Sequence, residues 1–563
     1  MDLTVTEKVR ANVPLASFYT PREVAQILAD WAILDSRTKV LDPSFGGCAF
    51  LLAALERLQN LGNQKPGKQI FGIDIDPNTL PSTQSLLAAG ATPKQFIISD
   101  FFDLRPGDFN CGLFEAILGN PPYIRYHDIP KELQEKAVRR LKEFDIQISG
   151  RASYWAFFLL YAMQFLRAGG RLAMVLPGAF LHTDYSVRVR EMLTRHFQDV
   201  TVLLLKERVF ARTEEESVLV LGAGARAPHQ TLRIGSVETV QDLRNGVANI
   251  HGATRILTRD TVADGGWLRA LIQPKTLELY DRLAAGPHFI RLGEWVTTRI
   301  GVVTGNNNFF IMSRGEWHQK GISDRYLIPI IRKPAWFSGL WVSDTDLQVF
   351  SHNGSRTLLL AVKQVESKLP ESVQNHICLG RKSGVHNAQK CKARTPWYVV
   401  PQTFVPPAFI QCMSASWPRV VLNRSRYTCT NNILRLSWKR GEERSQADWL
   451  RLSLGTLSTL SQFSAELVGR SYGGGVLKVE PTELGSLVVP LVPLNGIDKL
   501  ADQVDSLLRE NKPSEATRLV DSVLLNAEIG LTESDLRQLQ AARNLLFLRR
   551  RQHRNDAELI LRG

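Results

Sequence analysis

The sequence is poor in cysteine and has no long apolar run. Its six cysteines include no C-x-x-C pair, which excludes a disulfide framework. No window reaches the ~18 uninterrupted apolar residues that a membrane span needs. The N-terminus MDLTVTEKVR also lacks the apolar run of a signal peptide. These absences predict a soluble, intracellular protein with no membrane partner.

Acidic residues are also fewer than basic residues. The chain has 69 Lys and Arg against 55 Asp and Glu, a formal net charge of +14, so a polyanion is a plausible partner. Hydrophobic residues make up 44% and charged residues 22% of its 563 residues, which excludes a largely disordered or fibrous protein. At roughly 100–200 residues per domain, this length predicts several folding units.

Short apolar runs alternate with amphipathic stretches over the first 225 residues, a pattern typical of a parallel sheet with helices on both faces. The last two predicted strands, 200–205 and 218–221, are joined by a short polar segment, which predicts an antiparallel hairpin at the sheet edge. The predicted strands are 39–41, 69–75, 96–99, 115–118, 171–176, 200–205 and 218–221.

The composition changes further along the chain. A mixed connection follows the alternating region, and an α+β region with many short strands extends to about residue 493. The last stretch is rich in Leu, Ala, Arg and Glu at helical spacing. We therefore predict a first domain over 1–245, a second over 246–495 and a helical tail over 496–563.

The tetrapeptide N-P-P-Y at 120–123 directly follows the apolar run 114–119. Its prolines stiffen the loop and remove two backbone donors, so the loop carbonyls remain available as acceptors. The Asn120 side-chain oxygen and the Pro121 carbonyl can both accept hydrogen bonds from one exocyclic amino group, and Tyr123 offers a flat face to a base. Because open α/β sheets bind ligands at the carboxyl ends of their strands, the position favours a binding site over a simple turn.

A turn containing glycine lies upstream of this loop. The run 40–50 is typical of a strand, a turn and a helix start, in which Gly46 and Gly47 let the backbone approach a cofactor closely. The turn is neither G-x-G-x-x-G nor a Walker loop, so dinucleotide and triphosphate binding are disfavoured.

Acidic residues end the next two predicted strands. Asp74 can accept both hydroxyls of a ribose. Asp100 can accept from an adenine amino group, with Phe101 beside the ring. Helix capping explains any one of these acids equally well, but three acids in register at successive strand ends, Asp42, Asp74 and Asp100, favour a cofactor site.

This set of motifs resembles the amino-group DNA methyltransferases that use S-adenosylmethionine, in the gamma-class, TaqI-like motif order. The resemblance covers about residues 15–225, and the glycine loop departs from the family's F-x-G-x-G pattern. It implies an α/β, class I S-adenosylmethionine-dependent methyltransferase fold with a seven-stranded, mostly parallel sheet. A C-terminal α+β target-recognition domain and a helical tail are expected to follow it.

The resemblance also implies roles for individual residues. The expected cofactor-binding residues are Tyr19, Thr20, Asp42, Ser44, Gly46, Gly47, Asp74, Ile75, Asp100, Phe101 and Asn120. The expected catalytic residues are Asn120, Pro121, Pro122, Tyr123 and Phe210, with Phe210 and Tyr123 stacking the target base between them.

The implied reaction is methylation of adenine N6 in duplex DNA. The base flips out of the stack, and its amino nitrogen attacks the sulfonium methyl of S-adenosylmethionine in line. The bond from sulfur to the methyl group breaks, giving N6-methyladenine and S-adenosylhomocysteine, and no metal is needed. The implied partners are double-stranded DNA and a possible restriction endonuclease encoded separately. A monomer in the cytoplasm, associated with a bacterial or archaeal nucleoid, is expected.

The C-terminal half resembles recognition domains of restriction–modification methyltransferases at 299–307, 326–329 and 470–481. Two polar clusters there are suited to phosphates and purine edges, although solvated surface loops explain them equally well. The first cluster is Arg381, Lys382, Lys390, Lys392 and Arg394, with Trp397 and Tyr398 just after it. The second is Asn423, Arg424, Arg426, Asn431 and Asn432.

Several alternatives share the N-P-P-Y loop or the basic charge. RNA adenine and release-factor glutamine methyltransferases also use N-P-P-Y, but they are usually compact and lack a large C-terminal domain. Cytosine N4 methylation is more often paired with Ser or Asp before the prolines. A fused nuclease has no room ahead of Phe18, and a non-catalytic DNA-binding protein would be expected to have a degraded site.

Overall fold

Two folding units divide the chain, with a break between Ile272 and Gln273. The first unit also takes in the short segments at 471–475 and from 549 onward, and the second holds 273–470 and 476–548. The computed structural model describes residues 20–551 apart from 125, 151, 206–216, 229–230, 238, 249–254, 258–266, 402, 442–443 and 473–474. No helix in this described part is long and apolar enough to cross a bilayer.

Strands and helices alternate in the first unit, as predicted. The strands are β1 Val40–Asp42, β2 Ile70–Asp74, β3 Phe96–Ile98, β4 Phe114–Gly119, β5 Leu166–Pro177, β6 Phe197–Leu205, β7 Ser217–Ala225, β8 Thr231–Val237 and β9 Arg255–Leu257. The helices are α1 Arg22–Ala32, α2 Ala49–Asn60, α3 Gln84–Ala88, α4 Lys131–Lys142, α5 Tyr154–Ala162, α6 Ala179–His182, α7 Asp184–His196 and α8 Val240–Ala248.

One mixed sheet holds these strands in the order β3-β2-β1-β4-β5-β7-β6-β8-β9. Strands β1 to β5 are mutually parallel, whereas β7 is antiparallel to both β5 and β6. The mostly parallel α/β sheet and the antiparallel final pair are therefore confirmed.

The sheet is wider than the seven strands predicted, because β8 and β9 extend it beyond β6 in the described residues. Strand β8 pairs in parallel with β6, and β9 pairs with β8. The hairpin is thus not at the edge. Thr231 and Arg233 of β8 are polar and only half-buried, so the sequence of this strand resembles that of a loop that connects two elements.

The first unit extends past residue 245, where the sequence placed its end. Strand β9 belongs to its sheet, and the fully buried Trp267 packs edge-on against Phe180 of α6, with ring centroids 5.4 Å apart. Buried apolar contacts therefore continue to Ile272.

Two hydrophobic layers cover the sheet. Alternate strand residues enter different layers, as the two-residue period of a strand requires. Leu41 lies in an aromatic-rich cluster with α5, whereas Val40 lies in a cluster with α1 and α2. Helix α5 is apolar on every side and all nine of its residues are buried, so it acts as a central core helix.

The second unit combines several small sheets with helices, which agrees with the predicted α+β class. From Gln273 onward the strands are β10 Phe289–Arg291, β11 Val296–Ile300, β12 Ile311–Met312, β13 Leu327–Ile331, β14 Trp341–Ser343, β15 Leu358–Leu360, β16 Ala408–Gln411, β17 Met413–Ser414, β18 Val420–Arg424, β19 Thr428–Cys429, β20 Ile433–Trp438, β21 Arg470–Tyr472, β22 Val476–Lys478 and β23 Val488–Pro490. The largest sheet of this unit has the order β11-β20-β16-β18-β14.

Helices surround these sheets. They are α9 Pro274–Ala284, α10 Leu292–Trp295, α11 Asn307–Phe310, α12 Arg314–Gln319, α13 Asp344–His352, α14 Glu371–Lys382, α15 Gln389–Lys392, α16 Gln446–Gly455, α17 Thr459–Val468, α18 Pro481–Gly485, α19 Ile497–Arg509, α20 Pro513–Val520 and α21 Glu533–Arg551. A π-helix, Asp521–Glu528, lies between α20 and α21.

The predicted helical tail is helical, but it does not form a separate domain. Leu500 and Val504 of α19 share one hydrophobic cluster with Leu434 and Trp449. The Asp505 carboxylate accepts a hydrogen bond of 2.7 Å from the Leu340 amide. The amphipathic pattern that predicts a helix does not show what covers its apolar face.

Gly301 permits a close crossing in the second unit. A Cβ atom at this position would lie 2.1 Å from the Thr430 carbonyl oxygen, which is backbone and cannot rotate away. We expect Gly301→Ala to lower the free energy of unfolding by about 1–3 kcal/mol or more. Gly315→Ala is the control, because its Cβ meets nothing within 4 Å, and replacing a helical glycine stabilises by about 0.5–1 kcal/mol. Urea unfolding measures the free energy of unfolding of both variants. Equal changes in the two variants would contradict the steric argument.

Candidate active site

Three acids lie at the carboxyl edge of the parallel sheet. Asp42 ends β1, Asp74 ends β2, and Asp100 follows β3 by two residues. Each uses one carboxylate oxygen to accept a hydrogen bond from the amide two residues ahead, at 3.0, 2.9 and 3.0 Å respectively. All three acids therefore cap the turn that follows their strand, and all three lie at the same edge of the sheet.

Asp42 is the most deeply buried of these acids, with only 1% of its surface exposed. Burial, and to a smaller extent the charge of Asp74, raise the pKa of its carboxyl to about 8, although the hydrogen bond from the Ser44 amide lowers it. Gly119 makes room for it, since a Cβ there would lie 3.2 Å from an Asp42 oxygen. The site therefore holds two neighbouring carboxyl groups, of which Asp42 is buried and Asp74 is half-buried.

Asp74 fastens the glycine loop to β2. Its second oxygen accepts from the Gly46 amide at 2.8 Å, and the Phe45 amide donates to the Ile73 carbonyl at 3.1 Å. Burial raises the pKa of Asp74, although hydrogen bonds from the amides of Asp76, Gly46 and Ile75 lower it. Gly46 has a φ of +45° and nothing within 4 Å of its Cβ position, so this stretch of backbone is open to a ligand.

The N-P-P-Y loop follows β4, and two other motifs meet it at Asn120. The Asn120 side-chain amide donates to the Thr20 hydroxyl at 3.2 Å. The Ser44 hydroxyl donates to the Asn120 main-chain carbonyl at 3.3 Å. The structure therefore brings together residues that the sequence separates by up to 100 positions.

The rest of the loop lies against the aromatic core. Pro121 is buried, whereas Pro122 and Tyr123 are half-buried, and Tyr123 packs against the cluster that contains α5. The Ile124 carbonyl accepts from the Tyr154 amide at 3.0 Å at the start of α5. This contact anchors the loop at its far end.

Asp100 and Phe101 have structural partners. Lys136 of α4 donates to Asp100 at 2.9 Å and lies 2.8 Å from Asp103. Phe101 is 2% exposed, and its ring centroid lies 5.0–5.8 Å from those of four other aromatic rings. A ring surrounded in this way packs the core and offers no face to an adenine. These four rings belong to Phe102, Phe158, Tyr161 and Phe165.

Lys136 is a residue that the sequence analysis missed. Burial lowers its pKa, but hydrogen bonds to Asp103 and Asp100 outweigh burial, and the net shift is upward. Its position in an amphipathic helix does not indicate that it pairs with these acids.

Of the other predicted residues, Ile75 is half-buried after β2 and Gly47 is exposed. Tyr19 and Phe210 lie outside the described residues.

The two halves of the chain match two family models. Residues 12–263 match the N-6 DNA Methylase family, and residues 264–525 match the C-terminal domain of the Type II methyltransferase M.Eco57I. The chain thus resembles the N-6 DNA methylases over its first half and a Type II methyltransferase over its second half. It is an adenine-specific DNA methyltransferase that depends on S-adenosylmethionine, and RNA, protein and non-catalytic roles are disfavoured.

The methylase is similar along most of its length to two Type II methyltransferases. M.AccI of Acinetobacter calcoaceticus is 21% identical over 505 residues, covering 88% of this chain and 89% of the relative. M.XamI of Xanthomonas campestris pv. amaranthicola is 24% identical over 495 residues, covering 84% of each. Among solved structures, the Type IIL restriction-modification enzyme MmeI in complex with DNA has a TM-score of 0.55 at 12% identity. The match covers 97% of this chain and 78% of MmeI, and it shows a shared fold.

The basic cluster of the methylase's second unit divides into two groups. Arg381 pairs with Glu366, and Arg394 donates to the Thr304 and Val303 carbonyls. Lys382, Lys390 and Lys392 are exposed, and none of them pairs with an acid in the described part of the chain. The aromatics after the cluster, Trp397 and Tyr398, belong to a hydrophobic core.

The second polar cluster is also partly structural. Asn423 donates to the Pro406 and Tyr427 carbonyls at 2.7 and 3.1 Å, so its amide braces a turn. The Arg424 guanidinium lies 3.7 Å from the centre of the Trp341 ring. Arg426 and Asn432 are exposed. These last two remain available for base or phosphate contacts.

The raised pKa of Asp42 predicts a pH-dependent cost of folding. Between its ordinary pKa of 3.8 and about 8, the folded state retains a proton that the unfolded state has lost, so this group's contribution to stability falls as pH rises. We expect Asp42→Asn to raise the midpoint of thermal unfolding more at pH 8 than at pH 5. The matching gain in the free energy of unfolding at pH 8 is expected to be roughly 1–4 kcal/mol. The exposed Asp30→Asn is the control, and a gain that does not grow with pH would contradict this.

Proposed function

We propose that the first unit methylates adenine N6 with Asn120 and Pro121 as the groups that hold the target nitrogen, in the gamma-class arrangement. The meeting of Thr20 and Ser44 at Asn120 carries the proposal, because it joins the loop to the two segments assigned to the cofactor. When bound, S-adenosylmethionine supplies the methyl group.

The residues at the sheet edge fit that cofactor. S-adenosylmethionine carries a positive sulfonium and a positive ammonium, and Asp42 and Asp74 provide two neighbouring carboxyl groups in a buried site. A nearby cation favours the ionised form of a buried carboxyl group. Gly46 leaves its backbone open to the ligand, and the oxygens of Asp74 hold that backbone in place.

Asn120 and the two prolines orient the substrate rather than exchange protons with it. The Asn120 side-chain oxygen and the Pro121 carbonyl each accept a hydrogen bond from the target amino group. These two hydrogen bonds draw the amino lone pair away from the ring. Tyr123 stacks on the flipped base, with Phe210 as the proposed second face. Positioning of the nucleophile supplies most of the rate enhancement.

The second unit is proposed to read double-stranded DNA. Lys382, Lys390 and Lys392 would contact phosphates, because they are exposed cations without an acidic partner among the described residues. Arg426 and Asn432 are proposed base contacts. Because its full-length relatives are Type II methyltransferases, we propose that the enzyme modifies a restriction site as a monomer, with the endonuclease encoded separately.

Asn120→Ala tests the catalytic assignment. Loss of the amide acceptor is expected to lower methyl transfer at least roughly 100-fold. Tritium transfer from labelled S-adenosylmethionine into mixed-sequence duplex DNA measures it, with nucleoside chromatography to identify N6-methyldeoxyadenosine. Asn110→Ala is the matched control, because Asn110 is exposed and precedes β4 at the opposite edge of the sheet. Full activity in Asn120→Ala would refute the proposal, as would label in RNA instead of DNA.

Replacing Lys382, Lys390 and Lys392 together with Gln tests the phosphate contacts. Each lost contact reduces the slope of log affinity against log salt by about 0.9. The triple variant is therefore expected to reduce the slope by roughly 1 to 3 and to weaken binding of all sequences alike. The control replaces the exposed Lys65, Lys68 and Lys94 of the first unit with Gln, at equal cost in net charge. Equal slopes in the two triple variants would refute the assignment.

A further inference from the structure

Thr20 has a contact that its assignment to the cofactor does not explain. The residue is 4% exposed and directly precedes Pro21 and α1. Its hydroxyl oxygen accepts the hydrogen bond from the Asn120 side-chain nitrogen at 3.2 Å. The hydroxyl is therefore engaged with the N-P-P-Y loop.

The position of this hydroxyl is fixed by the scaffold. The Ala25 amide donates to the Pro21 carbonyl at 3.1 Å, so α1 begins directly after Thr20. Val24, Ala25 and Leu28 of α1 are fully buried in the core below the sheet. At the other end of α1, Arg171 of β5 donates to the Trp31 carbonyl at 2.5 Å.

The orientation of the Asn120 amide decides what that side chain can do. An asparagine amide has an acceptor end and a donor end. A half-turn of the amide would present its NH₂ group to the adenine amino group, donor against donor. A hydroxyl can meet either end of an amide, and in this structure the Thr20 hydroxyl accepts from the NH₂ end, so the oxygen is directed elsewhere, which is the productive orientation.

We propose that Thr20 is a positioning residue for Asn120, and that its hydroxyl holds the amide with the oxygen available to the target amino group. This inference rests on the proposed role of Asn120. The Ser44 hydroxyl adds a second restraint, because it donates to the Asn120 carbonyl at the peptide bond that leads into Pro121. Thr20 acts through Asn120 on the rate of methyl transfer, and the affinity for the cofactor does not depend on its hydroxyl.

Thr20→Val tests this role, because valine keeps the shape of threonine and removes the hydroxyl. We expect the single-turnover rate at saturating S-adenosylmethionine and DNA to fall roughly 5- to 30-fold, the effect of losing one positioning hydrogen bond. The dissociation constant of S-adenosylmethionine, measured by calorimetry, is expected to remain within about twofold of the original value. Thr20→Ser, which keeps the hydroxyl, is expected to restore most of the rate.

Two further variants separate this role from a merely structural one. Thr38→Val removes another buried hydroxyl, which accepts from the Asp35 amide at 3.4 Å just before β1. It is expected to leave the rate unchanged. In the Asn120→Ala background, Thr20→Val is expected to cause no additional loss, because the two residues act as one unit.

Other results of the same experiments would overturn the proposal. A weaker S-adenosylmethionine affinity with an unchanged saturated rate would make Thr20 a cofactor contact and overturn the proposal. A rate loss that Thr20→Ser does not restore, or that Thr38→Val reproduces, would also overturn it. If Asn120→Ala retains full activity, the proposed function itself fails. If Asn120→Ala is inactive and Thr20→Val has a normal rate, only the role of Thr20 fails.

Discussion

The parallel pairing of β1 with both of its neighbours is the constraint on which the site depends. Val40 is in register with Ile70 of β2 and with Ala116 of β4, so the three strands end at one edge of the sheet. The burial of alternate strand residues in two different layers fixes this register, because a one-residue slip would turn every side chain to the opposite face. The glycine loop and the N-P-P-Y loop leave from that edge.

The acids buried at this edge lower the stability of the folded state. Asp42 and Asp74 are neighbouring carboxyl groups, and burial raises the pKa of each. The same burial raises the pKa of the nearby Cys48 thiol to about 12, so this cysteine behaves as a packing residue and not as a nucleophile. A nearby positive charge would favour the ionised form of these carboxyl groups, and groups with perturbed pKa values concentrate at functional sites.

The aromatic core supports the other side of the loop. Helix α5 is buried along its whole length, and its first amide holds the Ile124 carbonyl. Phe101 and Phe102 enter this core from the turn after β3. The residues next to Asp100 therefore stabilise the wall of the site, and the acid itself pairs with Lys136. A motif position at a strand end can therefore have a structural partner of its own.

Local pattern by itself determined the first seven strands, the α/β class and the N-P-P-Y loop, because each depends on runs of adjacent residues. It also brought Asp42, Asp74 and Asn120 to one edge through the rule that parallel strands share their carboxyl ends. Only the tertiary structure decided the partners of those residues. The Thr20–Asn120 bond, the Lys136–Asp100 pair and the burial of Phe101 join segments far apart in the chain. The extra strands β8 and β9 and the docking of α19 were decided in the same way, since burial depends on what covers a surface, and no local spacing records that.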